Sequence, residues 1–226
     1  MRILLEILLL VLVPYSCIGK PVLEDVAIRT VLQDYNKMAY PGTAENRTII
    51  INHGLSLISI VELVDNKLSI DVWEETTWND PRLTWNGEPG TIHLPLSIIW
   101  TPDIVVYNSA NTKKRFEPKA VVSSDGTVFV VQPLRIDRSE CDPEQNGEIS
   151  CSFKFGSWTY DGFALDLNTR SSEIDLSNFI ENVNYEVVKS TARRNVMHYS
   201  CCQEPYVDVT YTVYLKNRGS TTASLE

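Results

Sequence analysis

The chain has 226 residues, 43% of them hydrophobic, and a formal charge of −9, so it is long enough to bury a sizeable core in one domain. The acidic balance argues against nucleic acid and anionic membranes as partners. No nucleophile elbow, paired metal-ligand spacing or Gly-rich phosphate loop is present in the sequence, which predicts a binding protein with no metal and no cofactor rather than an enzyme.

The N-terminal segment 1–19 is typical of a secretion signal. Arg2 supplies a positive end, Ile7–Val13 is an unbroken apolar run, and cleavage is expected after Gly19. A membrane anchor is the alternative, but the apolar run is too short for one and Glu6 interrupts it. We therefore expect a secreted, extracellular protein.

The mature chain contains no other long apolar run, so no membrane span is expected. We assign residues 20–216 to one folded domain and residues 217–226 to a polar C-terminal tail. Asn46 begins the only N-glycosylation sequon, which fits a secreted surface and predicts a glycoprotein.

The first predicted element is a short helix over Pro21–Asn36. Glu24 and Asp25 lie where acidic side chains complement the positive end of a helix. One side of the helix is apolar and carries Leu23, Ala27, Val31 and Tyr35. The chain then becomes rich in β-branched residues over Thr48–Val64, which predicts one strand or two.

The segment Leu68–Trp78 alternates as a half-buried strand does. Trp78 falls on the face of the apolar residues and is predicted to be buried, whereas Trp73 falls on the polar face with Asp71 and Glu75. A scattered surface tryptophan is the ordinary explanation for Trp73. A ligand or subunit contact explains it at least as well.

Further short strands are predicted along the rest of the chain. Pro102 interrupts a strand over Ile98–Val106, and Ser124-Asp125-Gly126 marks a hairpin turn. Regular turn signals between short strands predict an all-β fold, an immunoglobulin-like antiparallel β-sandwich with an N-terminal α-helix. The other strands are predicted over Phe153–Trp158, Gly162–Leu167, Tyr185–Ser190 and Tyr206–Lys216.

Four cysteines remain after removal of the signal, in a compartment that favours disulfides. They allow three connectivities. We favour the pairs Cys141–Cys151 and Cys201–Cys202 because each pair is local in sequence. Separate partners, free thiols or a bound metal are the alternatives for the two adjacent cysteines.

The segment Tyr199–Tyr206 places those adjacent cysteines between two tyrosines. A disulfide at such a hairpin tip joins no distant segments, so its effect would be to stiffen the tip and to present Tyr199 and Tyr206. Because tyrosine faces attract organic cations, the segment suggests a lid over a cationic ligand.

Several motifs in this order and spacing resemble the ligand-binding loops of Cys-loop receptor ligand-binding domains. The similarity runs from about Lys20 to Lys216 and extends to the acetylcholine-binding proteins, secreted relatives of nicotinic receptor ectodomains. The similar segments are Trp100–Asp103 with Tyr107 for loop A, Gly156–Gly162 for loop B, Tyr199–Tyr206 for loop C and Val72–Trp78 for loop D.

The resemblance implies a sandwich of the nicotinic receptor ligand-binding-domain type that assembles into a homopentamer. It implies small cationic ligands, such as acetylcholine and nicotine-like alkaloids, held in an aromatic box between neighbouring subunits. The principal face would be formed by Tyr107, Trp158, Tyr199, Cys201, Cys202 and Tyr206. The complementary face would be formed by Trp73, Val121, Phe129 and Val131, with support from Asp103, Lys154 and Asp208.

Three functions are consistent with these features, and the first is a secreted binding protein for acetylcholine and related ligands. The second is the excised extracellular domain of a nicotinic-type channel subunit, and the third is an adhesion sandwich. The first is favoured because the sequence ends in the polar stretch Gly219–Glu226, and because the loop Asp142–Ser150 is short and lacks an aromatic–proline–aromatic tip.

For Val121, Phe129 and Val131, ordinary core packing of a hairpin is the alternative to ligand contact.

Overall fold

The computed structural model describes residues 22–43, 47–200 and 202–220. The predicted signal segment, the glycosylation residue Asn46 and Cys201 lie outside the described residues.

Helix α1 spans Leu23–Leu32 and is shorter than the sequence predicts. Ala27 and Val31 are buried, as expected for the apolar side, whereas Leu23 on the same side is exposed at the first residue of the helix. The helix ends because the next residue is extended and Asp34 adopts a positive φ of 61°. Short polar residues such as aspartate tolerate that conformation better than most.

Eleven strands follow within the described residues, together with three short 3-10 helices at Leu96–Ile98, Gln145–Gly147 and Arg218–Ser220, the last of which comes after the final strand. The strands are β1 (Ile49–Val64), β2 (Lys67–Thr84), β3 (Thr91–Pro95), β4 (Ile104–Val106), β5 (Asn111–Lys114), β6 (Lys119–Ser123), β7 (Asp125–Pro143), β8 (Glu148–Ser157), β9 (Leu165–Thr169), β10 (Tyr185–His198) and β11 (Pro205–Asn217).

The strands form two sheets that share β7. One sheet runs β9-β1-β2-β7, with β5 and β6 also on β7 and β3 on β6. The other runs β10-β11-β8, with β4 on β8, and the end of β7 joins it. The all-β sandwich with one N-terminal helix is confirmed. One strand pair, β1 with β9, is parallel, which departs from the antiparallel arrangement expected throughout.

The structure contains the disulfide between Cys141 and Cys151, which face each other where β7 pairs with β8. Because β7 also pairs with β2, this bond ties the two sheets together at the point where they share a strand. No helix in the described residues is long and apolar enough to cross a membrane.

Two predicted strands are shorter in the structure. Within Ile98–Val106, Ile98 ends a 3-10 helix, residues 99–103 form a loop, and only β4 remains as a strand. Pro102 accounts for this because it has no N–H to donate to a ladder. Strand β9 begins at Leu165 rather than at Gly162, because the Asp161 carboxylate accepts the backbone N–H groups of Phe163 and Ala164 and holds a turn there.

The side chains of β2 point alternately to the core and to the outer face of the sheet. Trp78 is 3% exposed and lies edge-on to Trp100 in the core. Trp73 is 38% exposed on the opposite face of the strand. The two faces predicted from the sequence are therefore confirmed.

A polar cluster anchors the chain after α1 to the sheet. The Tyr35 hydroxyl donates to the buried Asp80 carboxylate (2.7 Å) and accepts the backbone N–H of Trp100 (2.9 Å). Arg82 forms an ion pair with Asp80 at 2.7 Å. Burial is the main cause that raises the pKa of Tyr35, so the phenol stays neutral and fixes the start of the segment that leads to Asp103.

Asp71 connects β2 to β7 through Arg135 and to the segment after β5 through Arg115. Its carboxylate accepts two bonds from Arg135 (2.6 and 2.9 Å) and one from Arg115 (2.6 Å). The hydrogen bond to Arg135 is the largest cause that lowers the pKa of Asp71 to about 2, against the partial burial that raises it. The cluster holds the part of β2 that carries Trp73.

The Asp71 cluster is expected to make stability depend on pH in acid. Because the pKa is depressed in the folded state, the stabilisation is complete above about pH 4 and is lost as the pH falls toward 2. Asp71→Asn is expected to lower the free energy of unfolding by about 2 kcal/mol at neutral pH and by much less near the folded-state pKa. Urea unfolding of both proteins at several pH values measures this, with the exposed Asp142→Asn as a control. A cost that does not change with pH would contradict the assignment.

Candidate ligand-binding site

Tyr107 and Trp158 lie together because β4 and β8 pair directly beneath them. The ring centroids are 6.4 Å apart, and the Tyr107 hydroxyl donates to the carbonyl oxygen of Ser157. Gly156 is required at this point, since a Cβ there would lie 2.5 Å from the Tyr107 ring. Real Cβ atoms do not approach ring carbons so closely, so the glycine allows the tyrosine to pack flat on the strand.

The Tyr107 hydroxyl stays protonated at physiological pH. Burial is the main cause that raises its pKa to about 12, and the nearby carboxylates of Asp103 and Asp208 and the hydroxyl of Tyr199 act in the same direction. The phenol therefore offers a neutral, electron-rich ring at this position, while its one O–H is already donated to the Ser157 carbonyl oxygen.

Tyr199 and Tyr206 face each other across the hairpin between β10 and β11. Their ring centroids are 5.6 Å apart in an edge-on arrangement. The last strand pair before the tip is His198 with Pro205, and beyond it the Cys202 N–H donates to the Tyr199 carbonyl oxygen (3.2 Å). Strand pairing up to the tip thus presents both tyrosines on one side.

These four aromatic residues form what we call the aromatic cluster: Tyr107, Trp158, Tyr199 and Tyr206. A cavity of about 310 Å³ lies beside it, and Trp158, 76% exposed, stands outside the cavity lining. The lining residues are Tyr107, Lys154, Met197, Tyr199, Tyr206, Val207 and Asp208. The sequence reasoning missed Met197 and Val207. The available signal was the position of Met197 two residues before Tyr199, a spacing that places side chains on one side of an extended chain.

Asp103 holds the loop that carries Trp158. Its carboxylate accepts the Ser157 hydroxyl (2.6 Å) and the Thr159 backbone N–H (2.8 Å). Its backbone carbonyl oxygen accepts the N–H of Trp158 (3.2 Å). These three hydrogen bonds to Asp103 fix the position of Trp158, although the Trp158 ring is largely in solvent.

Lys154 and Asp208 form an ion pair beneath the tyrosines, with 3.1 Å between Nζ and Oδ2. Asp208 is buried, and its other oxygen accepts the Asn195 side-chain amide (2.7 Å) and the Thr210 hydroxyl (3.1 Å). Lys154 is partly exposed, but removing it would leave the buried Asp208 carboxylate without its counter-charge, which is costly. The pair therefore links β8, β10 and β11 directly below the cavity.

The residues predicted for the complementary face lie elsewhere on the subunit. Trp73 of β2, Phe129 and Val131 of β7 and Val121 of β6 share the outer face of their sheet, which we call the outer-face patch. They are partly exposed, while the alternating Val122, Val128 and Val130 are buried. The buried alternate residues, rather than the patch residues, therefore form the core packing of the hairpin. None of the patch residues lines the cavity beside the aromatic cluster.

Cys202 takes part in a disulfide. Cys141 and Cys151 are bonded to each other, so the partner of Cys202 lies outside the described residues. The partner predicted from the sequence, Cys201, is also outside them.

The sequence profile of the neurotransmitter-gated ion-channel ligand binding domain matches residues 24–218. The chain belongs to this family. A neurotransmitter-gated ion-channel ligand-binding domain is a binding module rather than an enzyme, and the resemblance seen in the motifs is confirmed.

Curated relatives of this ligand-binding domain are receptor subunits. Neuronal acetylcholine receptor subunit alpha-10 of Rattus norvegicus is 32% identical over 96% of this chain and 51% of its own length. The acetylcholine receptor subunit alpha-like of Manduca sexta is 32% identical over 92% and 44%. The acetylcholine receptor subunit alpha-type acr-16 of Caenorhabditis elegans is 31% identical over 92% and 45%. The chain thus spans about half the length of the relatives it matches.

Removing the Asp103 carboxylate is expected to weaken ligand binding through the loop it holds. Asp103→Ala leaves the Ser157 hydroxyl and the Thr159 N–H without their acceptor, and we expect about a tenfold loss of affinity for a ligand bound at the aromatic cluster. Asp103→Asn keeps one acceptor oxygen and should recover part of the loss. Ligand titration of the three proteins measures this, and equal affinities would show that the loop does not depend on Asp103.

Proposed function

We propose that the chain binds acetylcholine and related cationic nicotinic ligands in an aromatic box between subunits of a homopentamer. The observation that carries the proposal is the pair of separated surfaces on one chain. The aromatic cluster and the outer-face patch occupy different parts of the subunit, so identical subunits arranged head to tail supply both halves of each site. Family membership supports the ligand class.

The chemistry of the aromatic cluster suits a quaternary ammonium. Such a cation has no proton to donate, so its recognition rests on aromatic faces and apolar enclosure, at roughly 0.5–2 kcal/mol for each cation–π contact. Trp158, exposed on the subunit and fixed through Asp103, is the proposed central face. Trp73 of the neighbouring subunit would close the box, and the apolar side chains of the patch would face the rest of the ligand.

The proposal also covers the hairpin tip, the ion pair below it and the processing of the chain. Cys201 and Cys202 bond to each other and stiffen the hairpin tip that covers the ligand, while Lys154 and Asp208 support that hairpin from below. The protein is secreted after removal of residues 1–19, and Asn46 carries a glycan. The overall charge of −9 favours the approach of cations.

Titration of the purified protein with acetylcholine and nicotine, followed by tryptophan fluorescence, tests the ligand class. Saturable quenching by both ligands is the expected result because Trp158 and Trp73 are partly exposed and would contact them. Light scattering tests the assembly, for which a pentamer is expected. A protein that binds neither ligand, or that stays monomeric at micromolar concentration, would contradict the proposal and favour an adhesion module.

The extracellular domain of a nicotinic-type channel subunit is the second candidate. It is favoured by the relatives, which are receptor subunits about twice as long as this chain. The site chemistry is the same for both candidates. Sequencing the transcript beyond the codon for Glu226 distinguishes them, because a channel subunit continues into membrane-spanning helices.

A further inference from the structure

Arg170 reaches the outer-face patch from the end of a neighbouring strand. It follows directly after β9, and its backbone N–H donates to the carbonyl oxygen of His53 on β1 (2.9 Å). Its side chain then crosses β1 at Gly54, where an added Cβ would lie only 3.2 Å from the Arg170 Cδ. That distance is tighter than most real Cβ contacts, so the glycine leaves the space in which the arginine lies across the sheet.

Two contacts hold the Arg170 guanidinium at the patch. Its Nη1 donates to Glu75 Oε2 (2.6 Å), and its Cζ lies 5.4 Å from the centre of the Phe129 ring. Glu75 stands directly opposite Val131 in the register of β2 and β7. Because Glu75 is two residues from Trp73 on β2, their side chains point to the same face of the sheet. The guanidinium is therefore part of the surface that the outer-face patch presents.

The ion pair exposes its cation more than its anion. The Arg170 side chain is 42% exposed and the Glu75 side chain is 25% exposed. The second Glu75 oxygen accepts the Ser56 hydroxyl (3.3 Å), so both carboxylate oxygens are engaged. A guanidinium has five N–H donors, and the bond to Glu75 is the one that Arg170 makes with its side chain among the described residues. Its other N–H groups are open to a ligand.

A cation at this place discriminates between ligands by the group at their far end. A second ammonium group would meet a like charge, and such a repulsive element is a common source of specificity. An ester carbonyl or a carboxylate oxygen would instead accept N–H groups from the guanidinium, whose planar fork matches a carboxylate. The other side chains of the patch are apolar and do not distinguish these groups by charge.

We propose that Arg170 is a specificity-determining residue that selects ligands with one quaternary ammonium group and a hydrogen-bond acceptor at the other end. A carboxylate is the strongest such acceptor. The inference rests on the proposed function, in which the ammonium lies in the aromatic cluster and the patch of the neighbouring subunit faces the rest of the ligand. Choline esters and short-chain betaines belong to the selected class. Bis-quaternary ammonium compounds, which place a second cation at the patch, are disfavoured.

Three probes with the same cationic head and different far ends test this selection. γ-Butyrobetaine ends in a carboxylate, pentyltrimethylammonium ends in a methyl group at the same chain length, and hexamethonium ends in a second trimethylammonium. Each is titrated by calorimetry into the unmodified full chain and into Arg170→Gln. We expect Arg170→Gln to lose about tenfold in affinity for γ-butyrobetaine, as for one hydrogen bond to a charged group. Its affinity for pentyltrimethylammonium should stay the same, and its affinity for hexamethonium should rise up to about fivefold.

Arg194→Gln is the matched control. Arg194 is also a partly exposed arginine in an ion pair, with Asp166 (2.5 Å), and it lies outside both the outer-face patch and the lining of the cavity beside the aromatic cluster. Its replacement removes the same charge from the subunit and should leave all three affinities unchanged. Arg170→Lys keeps the charge without the planar fork. It should keep the affinity of the unmodified chain for hexamethonium and lose part of the affinity for γ-butyrobetaine.

The outcomes separate this inference from the function on which it rests. A loss of γ-butyrobetaine affinity in Arg170→Gln, without a loss for pentyltrimethylammonium, would support the inference. Equal changes for all three probes, no change for any of them, or the same changes in Arg194→Gln would overturn it and leave the proposed function standing. Absence of γ-butyrobetaine binding by an unmodified chain that binds pentyltrimethylammonium would overturn it in the same way. An unmodified chain that binds neither pentyltrimethylammonium nor acetylcholine would contradict the proposed function and this inference together.

Discussion

Replacing Trp158 with alanine is expected to weaken acetylcholine binding by about two orders of magnitude. The loss combines the cation–π contact with the enclosure that the ring provides at the centre of the proposed site. Because Trp158 is 76% exposed, the free energy of unfolding should change by less than about 0.5 kcal/mol. A ligand titration and a melting curve on the same protein separate the two effects.

Phe163→Ala provides the control for this variant. Phe163 is also an exposed aromatic residue, it lies on the same connection between β8 and β9, and it is outside the aromatic cluster. Its removal should leave acetylcholine affinity unchanged. An equal loss of affinity in both variants would show that the connection as a whole, rather than the Trp158 ring, determines binding.

Replacing Trp78 with alanine is expected to cost roughly 3–5 kcal/mol of unfolding free energy, as for a core aromatic residue. Trp73→Ala, five residues away on the same strand, should instead weaken agonist binding with a much smaller effect on stability. Trp73→Phe should recover part of the binding, because a weaker aromatic face remains. Melting curves and ligand titrations of the three variants measure these effects.

The opposite outcome has a clear meaning for β2. If Trp73→Ala unfolded the protein while Trp78→Ala only lowered affinity, the two faces of the strand would be reversed. The structure places Trp78 in the core beside Trp100 and Trp73 on the outer face, so the pair tests this placement with two substitutions of the same kind.

Features with local causes were predictable from the sequence. Alternation with a period of two placed Trp73 and Trp78 on opposite faces, and the turn residues around Asp125 marked the hairpin between β6 and β7. The grouping of Tyr107 with Trp158 needed the resemblance to a known family. The pairing of β4 with β8 brings them together from distant parts of the sequence.

Features that depend on long-range register were not predictable. The parallel pairing of β1 with β9 follows from the path of the chain between the sheets and leaves no local pattern. Glu74 and Gln132 likewise become neighbours only through the register of β2 on β7. Trp78 was correctly predicted as a core residue, but the burial of its indole N–H without a partner among the described residues cannot be read from a sequence.

Binding between subunits is tested most directly by complementation between two defective variants. Trp158→Ala lacks the proposed principal face, and Trp73→Ala lacks the proposed complementary face. Each variant alone should bind acetylcholine weakly. When they are expressed together, about a quarter of the interfaces in randomly mixed rings would join an intact Trp158 to an intact Trp73. We predict recovery of that fraction of high-affinity sites on co-expression, and no recovery when separately assembled proteins are mixed. Failure of co-assembled variants to recover any high-affinity binding would contradict a site shared between subunits.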